Sequence, residues 1–176
     1  GRPVLMRTLE RFHDYDPSLH LILVLPKEQQ DYWRSLCAQY AFDIPYQLAD
    51  GGATRFESSR NGLALVPDDV CGVVAIHDGV RPFVAKVIDR CFEAAREDYA
   101  AIPVYGITDT LRYVDEQGGG RNVRRSDYRV VQTPQVFDIT LAKQAFKQSY
   151  QENFTDDASV IEAMGCQVAM VEGNRE

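Results

Sequence analysis

The chain has no long hydrophobic run, and this absence limits the classes of protein to which it can belong. None of its apolar stretches approaches the roughly 20 residues that a membrane-spanning helix needs, and no signal-peptide pattern opens it. Basic residues are also few, because 19 Lys and Arg stand against 26 Asp and Glu, for a formal net charge of −7. This balance argues against an extended nucleic-acid surface. We therefore expect neither a nucleic-acid partner nor a membrane partner.

Cysteines are sparse as well, and the four that occur are far apart in the sequence: Cys37, Cys71, Cys91 and Cys166. They form no CxxC pair and no spacing with histidine, so neither a zinc site nor a disulfide framework is predicted. Four reduced thiols are typical of a cytoplasmic protein. An initiator Met is also missing, and we expect the chain to be a piece of a longer polypeptide that was cut at both ends.

Apolar residues recur with a periodicity that alternates between helix and strand. The predicted helices cover 4–12, 27–41, 58–65, 86–99 and 139–150, and the predicted strands cover 19–25, 45–49, 73–77, 101–104 and 167–171. Strands that alternate with helices pair in parallel, so we expect an α/β fold with a mostly parallel, twisted sheet and helices on both faces. At this length the chain forms a single domain, 1–176.

The alternation is interrupted between residues 108 and 131. A loop with three consecutive glycines, 118–120, separates the segment 111–114 from a polar, β-compatible segment at 122–131. This pattern predicts a β-hairpin, called the arm below, that protrudes from the main sheet and is too polar to have its own core. Such an arm needs a surface to cover it, and a second subunit is the simplest candidate.

The segment 76–82, with the sequence IHDGVRP, places an acidic and a basic side chain directly after a predicted buried strand. Open α/β folds bind their ligands at the carboxyl edge of the sheet. Asp78 could hold a divalent cation there, and the Arg81 guanidinium could clamp a phosphate. A local ion pair that closes the turn explains the same two residues equally well. We interpret His77 as a neutral core residue rather than a general base.

A second candidate site is the turn at 50–58, with the sequence DGGATRFES. Gly51 and Gly52 allow a backbone to approach a flat ligand closely, and the free amides of the helix that follows suit polar ligand atoms. The Ser58 hydroxyl could contribute to such a site. An ordinary tight turn, in which Ser58 caps the next helix, is the simpler explanation.

Three threonines and a group of arginines complete the candidates. Thr110 precedes the arm, Thr133 lies just before a proline, and Thr155 precedes two acidic residues at a predicted helix start. Their hydroxyls can donate to a phosphate, although Thr155 and the acids after it also fit a plain helix cap. A cluster of basic residues on the arm is either a phosphate grip or a solvated surface, and its members are Arg121, Arg124, Arg125 and Arg129.

Taken in order, six motifs resemble the 2-C-methyl-D-erythritol 4-phosphate cytidylyltransferases, the CTP-dependent enzymes of the non-mevalonate isoprenoid pathway. They are GGATRFES, HDGVRPF, TDT, the arginine cluster with QTPQVF, TDDAS and VEGN, and they extend over essentially the whole chain. The resemblance implies a Rossmann-like nucleotidyltransferase fold with an arm at 108–131 that interlocks two subunits of a homodimer. It also implies transfer of a cytidylyl group from CTP to methylerythritol phosphate, with magnesium as the usual cation.

The resemblance carries the family's site residues over to matching positions. It implies nucleotide binding by Gly51, Gly52, Ala53, Ser58 and Gly79. The implied catalytic residues are Asp78, Arg81 and Arg125, of which Arg125 reaches from the arm into the neighbouring subunit's site. The acceptor phosphate is expected at Arg81, Thr110, Arg125, Thr133 and Thr155, and the metal at Asp78. Independently of the resemblance, the last predicted strand ends at the same sheet edge, so Glu172 or Glu176 could also approach the metal.

Two features depart from the family pattern. Ala53 stands where many members have an acidic residue, which matters if cytosine is recognised through that carboxylate rather than through the backbone. The family's Gly-rich triphosphate loop corresponds to sequence before Gly1, and its Asn-Ile-Lys segment to sequence after Glu176, so we expect both in the full protein. Two alternatives stay open: a ribitol 5-phosphate or related pentitol-phosphate cytidylyltransferase, and a non-catalytic nucleotide-binding or dimerisation module.

Overall fold

The computed structural model of the chain describes residues 1–82 and 85–175. The helices within these residues are α1 (Val4–Tyr15), α2 (Gln30–Gln39), α3 (Arg55–Leu63), α4 (Ala85–Asp98), α5 (Ile139–Ala145) and α6 (Asp157–Glu162). The strands are β1 (Ile22–Leu25), β2 (Gln47–Asp50), β3 (Val73–Ile76), β4 (Ala100–Gly106), β5 (Leu111–Val114), β6 (Gly120–Val123), β7 (Arg129–Val131), β8 (Gln135–Asp138) and β9 (Ala169–Glu172). Short 3₁₀ helices cover Lys27–Gln29 and Arg125–Asp127.

The N-terminal helices form by burying one apolar face each. Met6 and Leu9 of α1 pack in one cluster with Trp33 of α2 and Leu23 of β1, and all four are at most 8% exposed. The i, i+3 spacing of Met6 and Leu9 is the helical period that the sequence shows. Strand β1 pairs in parallel with β2, and these two strands form a small sheet of their own.

The main sheet has five strands and is largely antiparallel. Strand β8 lies between β3 and β4 and runs antiparallel to both, whereas β9 pairs in parallel with β4. The prediction of a mostly parallel sheet is therefore wrong. The chain returns from the arm in the opposite direction, and the returning strand is inserted between two strands that would otherwise have been neighbours. Only four residues, Gln135–Asp138, mark this strand in the sequence, and they follow a proline that indicates a turn.

Strands β7 and β8 lie end to end along β4, with a bulge between them. Val104 lies opposite Val131, and Ala101 lies opposite Val136, so two residues of β4 between these pairs face four residues, 132–135, on the other segment. The extra residues include Thr133, whose bond to the following proline is cis. This bulge matters for the site because it carries the Thr133 hydroxyl to the backbone N–H of Asp78, 3.1 Å away.

The hairpin predicted between residues 108 and 131 is present. Strands β5 and β6 pair antiparallel in a separate two-stranded sheet, and the predicted second strand is shorter because 129–131 joins the main sheet as β7. Tyr113 and Val114 of the hairpin are 54% and 61% exposed. The hairpin is therefore confirmed, and its use as a dimerisation arm stays a prediction.

Helices cover both faces of the main sheet, as the sequence predicts. Phe137 of β8 packs with Phe56 of α3 and Ile161 of α6 on one face, and Val136 packs with Ile88 of α4 on the other. Among the helices within 1–82 and 85–175, none is long and apolar enough to cross a membrane. All four cysteines are free thiols, which confirms that prediction.

Candidate active site

The turn after β2 is closed by side chains from the first turn of α3. The Thr54 hydroxyl accepts a hydrogen bond from the Glu57 N–H at 3.1 Å, and the Glu57 carboxylate accepts one from the Thr54 N–H at 3.1 Å. This capping box starts the helix three residues before the predicted position, so the interpretation of Ser58 as the cap is wrong. The Ser58 hydroxyl instead accepts from the Gly52 N–H and donates to the Thr54 carbonyl, both at 3.0 Å.

Close packing requires glycine at position 52. A Cβ there would lie 2.3 Å from the Cβ of Glu57, and a Cβ on Gly51 would lie 3.1 Å from the backbone nitrogen of Pro26. Gly52 and Ala53 are both exposed at the tip of the turn. The turn therefore presents backbone groups to solvent in a form that a flat ligand can approach.

Asp78 follows β3 and lies between two guanidinium groups. Arg55 Nη1 donates to its Oδ1 at 2.8 Å, and Arg81 Nε donates to its Oδ2 at 2.9 Å. Burial tends to raise the pKa of Asp78, but the two guanidinium groups outweigh it and leave the pKa below its ordinary value. The carboxylate is therefore ionised at neutral pH, and the ion pair with Arg81 that the sequence suggests is present.

A second carboxylate, Asp157 at the start of α6, is 1% exposed and shares the same arginine. Arg55 donates to its Oδ2 through Nε at 3.2 Å and through Nη2 at 2.5 Å. The Ser59 hydroxyl donates to its Oδ1 at 2.6 Å. Burial raises the pKa of Asp157 against the opposing effect of Arg55 and Ser59. The pKa of Arg55 is itself raised, because its carboxylate partners outweigh its own burial, so this arginine stays charged.

Thr133 and Thr155 both lie beside members of this group. Thr133 is buried, and its hydroxyl accepts the backbone N–H of Asp78 at 3.1 Å. Thr155 is exposed and directly precedes Asp156, whose carboxylate caps α6 by accepting the Ser159 N–H at 2.8 Å. The helix cap predicted near Thr155 is therefore confirmed. The structure therefore brings Thr133 into contact with Asp78, and it places Thr155 two residues before Asp157, which shares Arg55 with Asp78.

Gly79 and His77 contact the first helix. The Gly79 carbonyl accepts a hydrogen bond from the Thr8 hydroxyl at 2.7 Å. His77 Nε2 donates to the Arg81 carbonyl at 2.9 Å, and its ring packs edge-on against Phe12 with 4.9 Å between the ring centroids. Burial lowers the pKa of His77, which supports the interpretation of this half-buried residue as neutral. Nucleotide binding at Gly79 stays a prediction.

Thr110 and Arg125 lie at the base of the arm. Thr110 directly precedes β5, and Arg125 begins the 3₁₀ helix after β6, where its Nη1 donates to the Thr108 carbonyl. Both residues are exposed. In the part of one chain that the structure describes, no contact joins either of them to Asp78. Their predicted role at the acceptor phosphate therefore needs a second subunit or a movement of the arm.

Of the predicted metal ligands, Asp78 is among the described residues and Glu176 lies outside them. Within 1–82 and 85–175, no three His, Cys, Asp or Glu side chains are grouped to hold a metal ion. Each Asp78 oxygen accepts one hydrogen bond and retains a second lone pair, and the side chain is 27% exposed. One carboxylate fits the way in which Mg²⁺ binds beside substrate phosphates, where phosphate and water oxygens complete the coordination.

Sequence reasoning missed Arg55 and treated Asp157 only as part of a helix cap. A weak signal was available, because Arg55 stands in the first turn of a helix, where the helix dipole disfavours a cation. An arginine at such a position needs a carboxylate partner. The sequence does not show which one, since Asp157 is 102 residues away along the chain.

The chain was compared with protein families and curated proteins. The family model described as 2-C-methyl-D-erythritol 4-phosphate cytidylyltransferase matches residues 1–176. A protein of that name from Bacteroides fragilis is 58% identical over 177 residues, which cover 100% of this chain and 80% of the relative. Another from Phocaeicola vulgatus is 53% identical with the same coverage.

Solved structures agree with this comparison. The 4-diphosphocytidyl-2C-methyl-D-erythritol synthase of Anaerococcus prevotii matches with a TM-score of 0.84 at 27% identity, over 99% of this chain and 78% of that one. The 2-C-methyl-D-erythritol 4-phosphate cytidylyltransferase of Thermus thermophilus matches with a TM-score of 0.77 at 32% identity, over 99% and 80%. The chain therefore belongs to the 2-C-methyl-D-erythritol 4-phosphate cytidylyltransferase family.

Proposed function

We propose that this chain, a nucleotidyltransferase by its family, transfers the cytidylyl group of CTP to 2-C-methyl-D-erythritol 4-phosphate and releases pyrophosphate. The match to the family over residues 1–176 supports both substrates. The product would be a 4-diphosphocytidyl alcohol, the compound after which the Anaerococcus prevotii synthase is named. The reaction serves the synthesis of isoprenoid precursors.

The observation that carries the proposal is the meeting of three loops at Asp78. Its carboxylate is bonded to Arg55 from the start of α3, and its N–H is bonded to Thr133 from the bulge after β7. Arg55 is bonded in turn to Asp157, two residues after Thr155. A transferase must hold its two substrates side by side, and these contacts join the candidate nucleotide turn to the candidate acceptor loops.

The chemistry that these loops would serve is an in-line displacement at phosphorus. An oxygen of the acceptor phosphate forms a bond to the α-phosphorus of CTP. The bond from that phosphorus to the oxygen shared with the β-phosphorus breaks, and its electron pair leaves with pyrophosphate. No covalent intermediate with the protein is needed, so the protein aligns two polyanions and stabilises the charge on their phosphoryl oxygens.

We assign the nucleotide to the turn before α3, with Gly51, Gly52, Ala53 and Ser58 at the cytosine and Gly79 nearby. The backbone at Gly52 and Ala53 is exposed, and the Ser58 hydroxyl already bonds to the Gly52 N–H. A cytosine base can replace the hydrogen bond between Gly52 and Ser58 with its own bonds to these groups, and this needs no carboxylate at position 53. Recognition through the backbone therefore tolerates alanine at position 53.

We assign the acceptor phosphate to Arg81, Thr110, Arg125, Thr133 and Thr155. Arg81 uses Nε for Asp78, and its terminal nitrogens are suited to a phosphate. Thr110 and Arg125 lie on the arm, where Tyr113 and Val114 expose apolar surface that needs a cover. We therefore propose a homodimer in which the arm of one subunit lies on the other, so that Arg125 acts in the partner's site. Asp78, Arg81 and Arg125 are the proposed catalytic residues.

Magnesium is the proposed cation, held by Asp78 and, beyond the described residues, by Glu176. When bound, it would neutralise negative charge on the phosphates of CTP. The residues of this chain would orient the substrates around it. A cytoplasmic location is proposed on the basis of the four free thiols.

The test is pyrophosphate release by the intact protein with CTP and magnesium, measured separately with methylerythritol phosphate and with ribitol 5-phosphate. We expect release with methylerythritol phosphate only. Release with ribitol 5-phosphate only would preserve the fold and the chemistry but assign a different acceptor. An inactive protein with both acceptors would support the non-catalytic module instead.

A further inference from the structure

Arg55 stands at a position that its own helix disfavours. It is the first residue of α3, directly after the Thr54 cap, where the helix dipole repels a cation. Its guanidinium is nevertheless engaged through all three nitrogens with two carboxylates, those of Asp78 and Asp157. Arginine at position 55 is therefore explained by its bonds to Asp78 and Asp157 and not by the stability of α3.

The geometry of Arg55 is set from the buried side. Nε and Nη2 both donate to Asp157 Oδ2, and Asp157 is 1% exposed and held on its other oxygen by Ser59 at 2.6 Å. A guanidinium is planar and rigid, so two bonds to a buried carboxylate fix the direction of the third nitrogen. That nitrogen, Nη1, lies 2.8 Å from Asp78 Oδ1.

Asp78 is in turn the anchor of Arg81. Its Oδ2 accepts from Arg81 Nε at 2.9 Å, while its backbone N–H is held by Thr133. A displacement of Arg55 is therefore transmitted to the Asp78 carboxylate, and from there to the guanidinium that we assign to the acceptor phosphate. The path runs through three consecutive ion pairs.

We propose that Arg55 is a positioning residue that uses the buried Asp157 as a fixed support to aim Asp78, and through it Arg81, at the acceptor phosphate. This inference rests on the proposed function. It assigns Arg55 no contact with either substrate. Its effect is expected on the acceptor side of the reaction, because Arg81 is on that side and the contacts of the nucleotide turn involve Gly52, Thr54 and Ser58 instead.

A merely structural role for Arg55 predicts something different. If the arginine only tied α3 to α6, its loss would reduce the folded fraction or the melting temperature and would leave the Michaelis constants of the surviving enzyme unchanged. A positioning role predicts a lower kcat and a higher KM for the acceptor, with a KM for CTP close to that of the wild type.

The experiment compares four forms of the intact protein: the wild type, Arg55→Lys, Ser59→Ala and Arg60→Lys. Lysine keeps the charge at position 55 but lacks the rigid planar fork that fixes the direction from Asp157 to Asp78. Ser59→Ala weakens the hold on Asp157 without touching Asp78. Arg60→Lys is the matched control, because Arg60 is an exposed arginine on the same helix that lies over the Phe56 ring. Arg55→Gln serves as a second variant if Arg55→Lys does not fold.

Pyrophosphate release is measured with each substrate varied in turn, and thermal melting is recorded for every form. For Arg55→Lys we expect kcat to fall about tenfold or more and the acceptor KM to rise, while the KM for CTP changes by less than about twofold. Ser59→Ala should shift kcat and the acceptor KM in the same direction by a smaller factor, whereas Arg60→Lys should retain both Michaelis constants.

Two results would overturn the inference while leaving the proposed function intact. One is an Arg55→Lys enzyme with wild-type kcat and acceptor KM, and the other is an equal loss of kcat in Arg60→Lys. If the wild type itself releases no pyrophosphate, the proposed function fails and the inference fails with it. The activity of the wild type therefore separates the two failures.

Discussion

Two guanidinium groups and two carboxylates alternate through the site, from Arg81 to Asp78 to Arg55 to Asp157. These side chains are 43% exposed at Arg81, 27% at Asp78, 40% at Arg55 and 1% at Asp157, so Asp157 is the buried member of the four. An exposed ion pair contributes little to stability, whereas removal of one partner from a buried pair leaves an uncompensated charge in a medium that solvates it poorly. The same chemical interaction therefore has different consequences at the two ends of this chain of charges.

Replacement of Asp157 by alanine tests the buried end. Ser59 would lose its partner and Arg55 one of its two carboxylates, so we expect the free energy of unfolding to fall by about 2 kcal/mol. Asp31→Ala is the control, since Asp31 is 95% exposed and pairs with Arg34 on the surface, and we expect a loss of less than about 1 kcal/mol there. Urea unfolding of both variants measures the difference. Equal losses in the two variants would show that the burial of Asp157 has no energetic consequence.

The Asp78 carboxyl group makes the free energy of unfolding depend on pH under acidic conditions. Burial tends to raise its pKa, but Arg55 and Arg81 together lower it below the unfolded value. A carboxyl group with a lowered pKa in the folded state adds stability above its unfolded pKa, and this contribution is lost as the pH falls through the folded pKa. We expect Asp78→Asn to reduce the loss of stability between about pH 5 and about pH 3, as measured by urea midpoints. Parallel curves for the variant and the wild type would contradict this assignment.

Asp78→Asn should also abolish most of the activity at neutral pH. The amide cannot form the two ion pairs that hold Arg55 and Arg81, so we expect kcat/KM to fall by about 100-fold. Pyrophosphate release measures the loss, and Asp68→Asn is the control, because Asp68 pairs with Lys143 in a fully exposed position. Nearly intact turnover in Asp78→Asn would remove this residue from the catalytic centre.

At the scale of elements, the junction between β2 and α3 shows how a local signal sets a functional turn. The capping box of Thr54 and Glu57 fixes where α3 begins, and the close contact between Gly52 and Glu57 fixes how the turn reaches it. The turn and the helix are therefore one unit. A change in the turn is expected to affect stability and nucleotide binding together.

Gly52→Ala tests this unit. The new Cβ would lie 2.3 Å from the Cβ of Glu57, so the turn must open, and we expect the unfolding free energy to fall by about 1–3 kcal/mol with a higher KM for CTP. Gly106→Ala is the matched control, because a Cβ on Gly106 meets nothing within 4 Å, and its effect should stay within about 0.5 kcal/mol. Similar melting temperatures and similar KM values for the two variants would rule out a packing role for Gly52.

At the scale of the whole molecule, the main question is how the arm relates to the site. Asp78, Thr133 and the loop at Thr155 meet within one chain, whereas Thr110 and Arg125 lie at the base of an exposed hairpin. Such a site is complete if the arm of a second subunit reaches it. In a two-fold symmetric dimer each subunit then supplies its arm to the site of the other.

Complementation between inactive subunits tests the division. Arg125→Ala and Asp78→Asn homodimers should both be inactive, but a mixed dimer contains one site with an intact Asp78 and an intact partner arm. Random pairing of equal amounts should restore about one quarter of wild-type activity. An Arg124→Ala subunit, in place of Arg125→Ala, is the control and should be active before mixing. No recovery in the mixture would contradict the action of Arg125 across the interface.

The sequence by itself determined most of the elements, although not strand β8, and the chemical class of the residues at their ends. The apolar periodicity of Met6, Leu9 and Trp33 predicts helices that the structure contains, because the period of a helix follows from backbone geometry alone. Asp78 after β3 and the glycines after β2 were also predicted, since the end of a buried strand is a local feature. The contact between Asp78 and Thr133 was expected only through the family resemblance, which places both beside the acceptor phosphate.

Only the tertiary structure decided the direction of the strands and the partners of the charges. Strand β8 is inserted antiparallel between β3 and β4, because the path of the chain through the arm reverses its direction, and four residues after a proline do not show this. Arg55 and Asp157 are separated by 102 residues, and neither has a local partner that accounts for its charge. Pairing between distant residues depends on how the elements pack, and a local pattern contains no information about that packing.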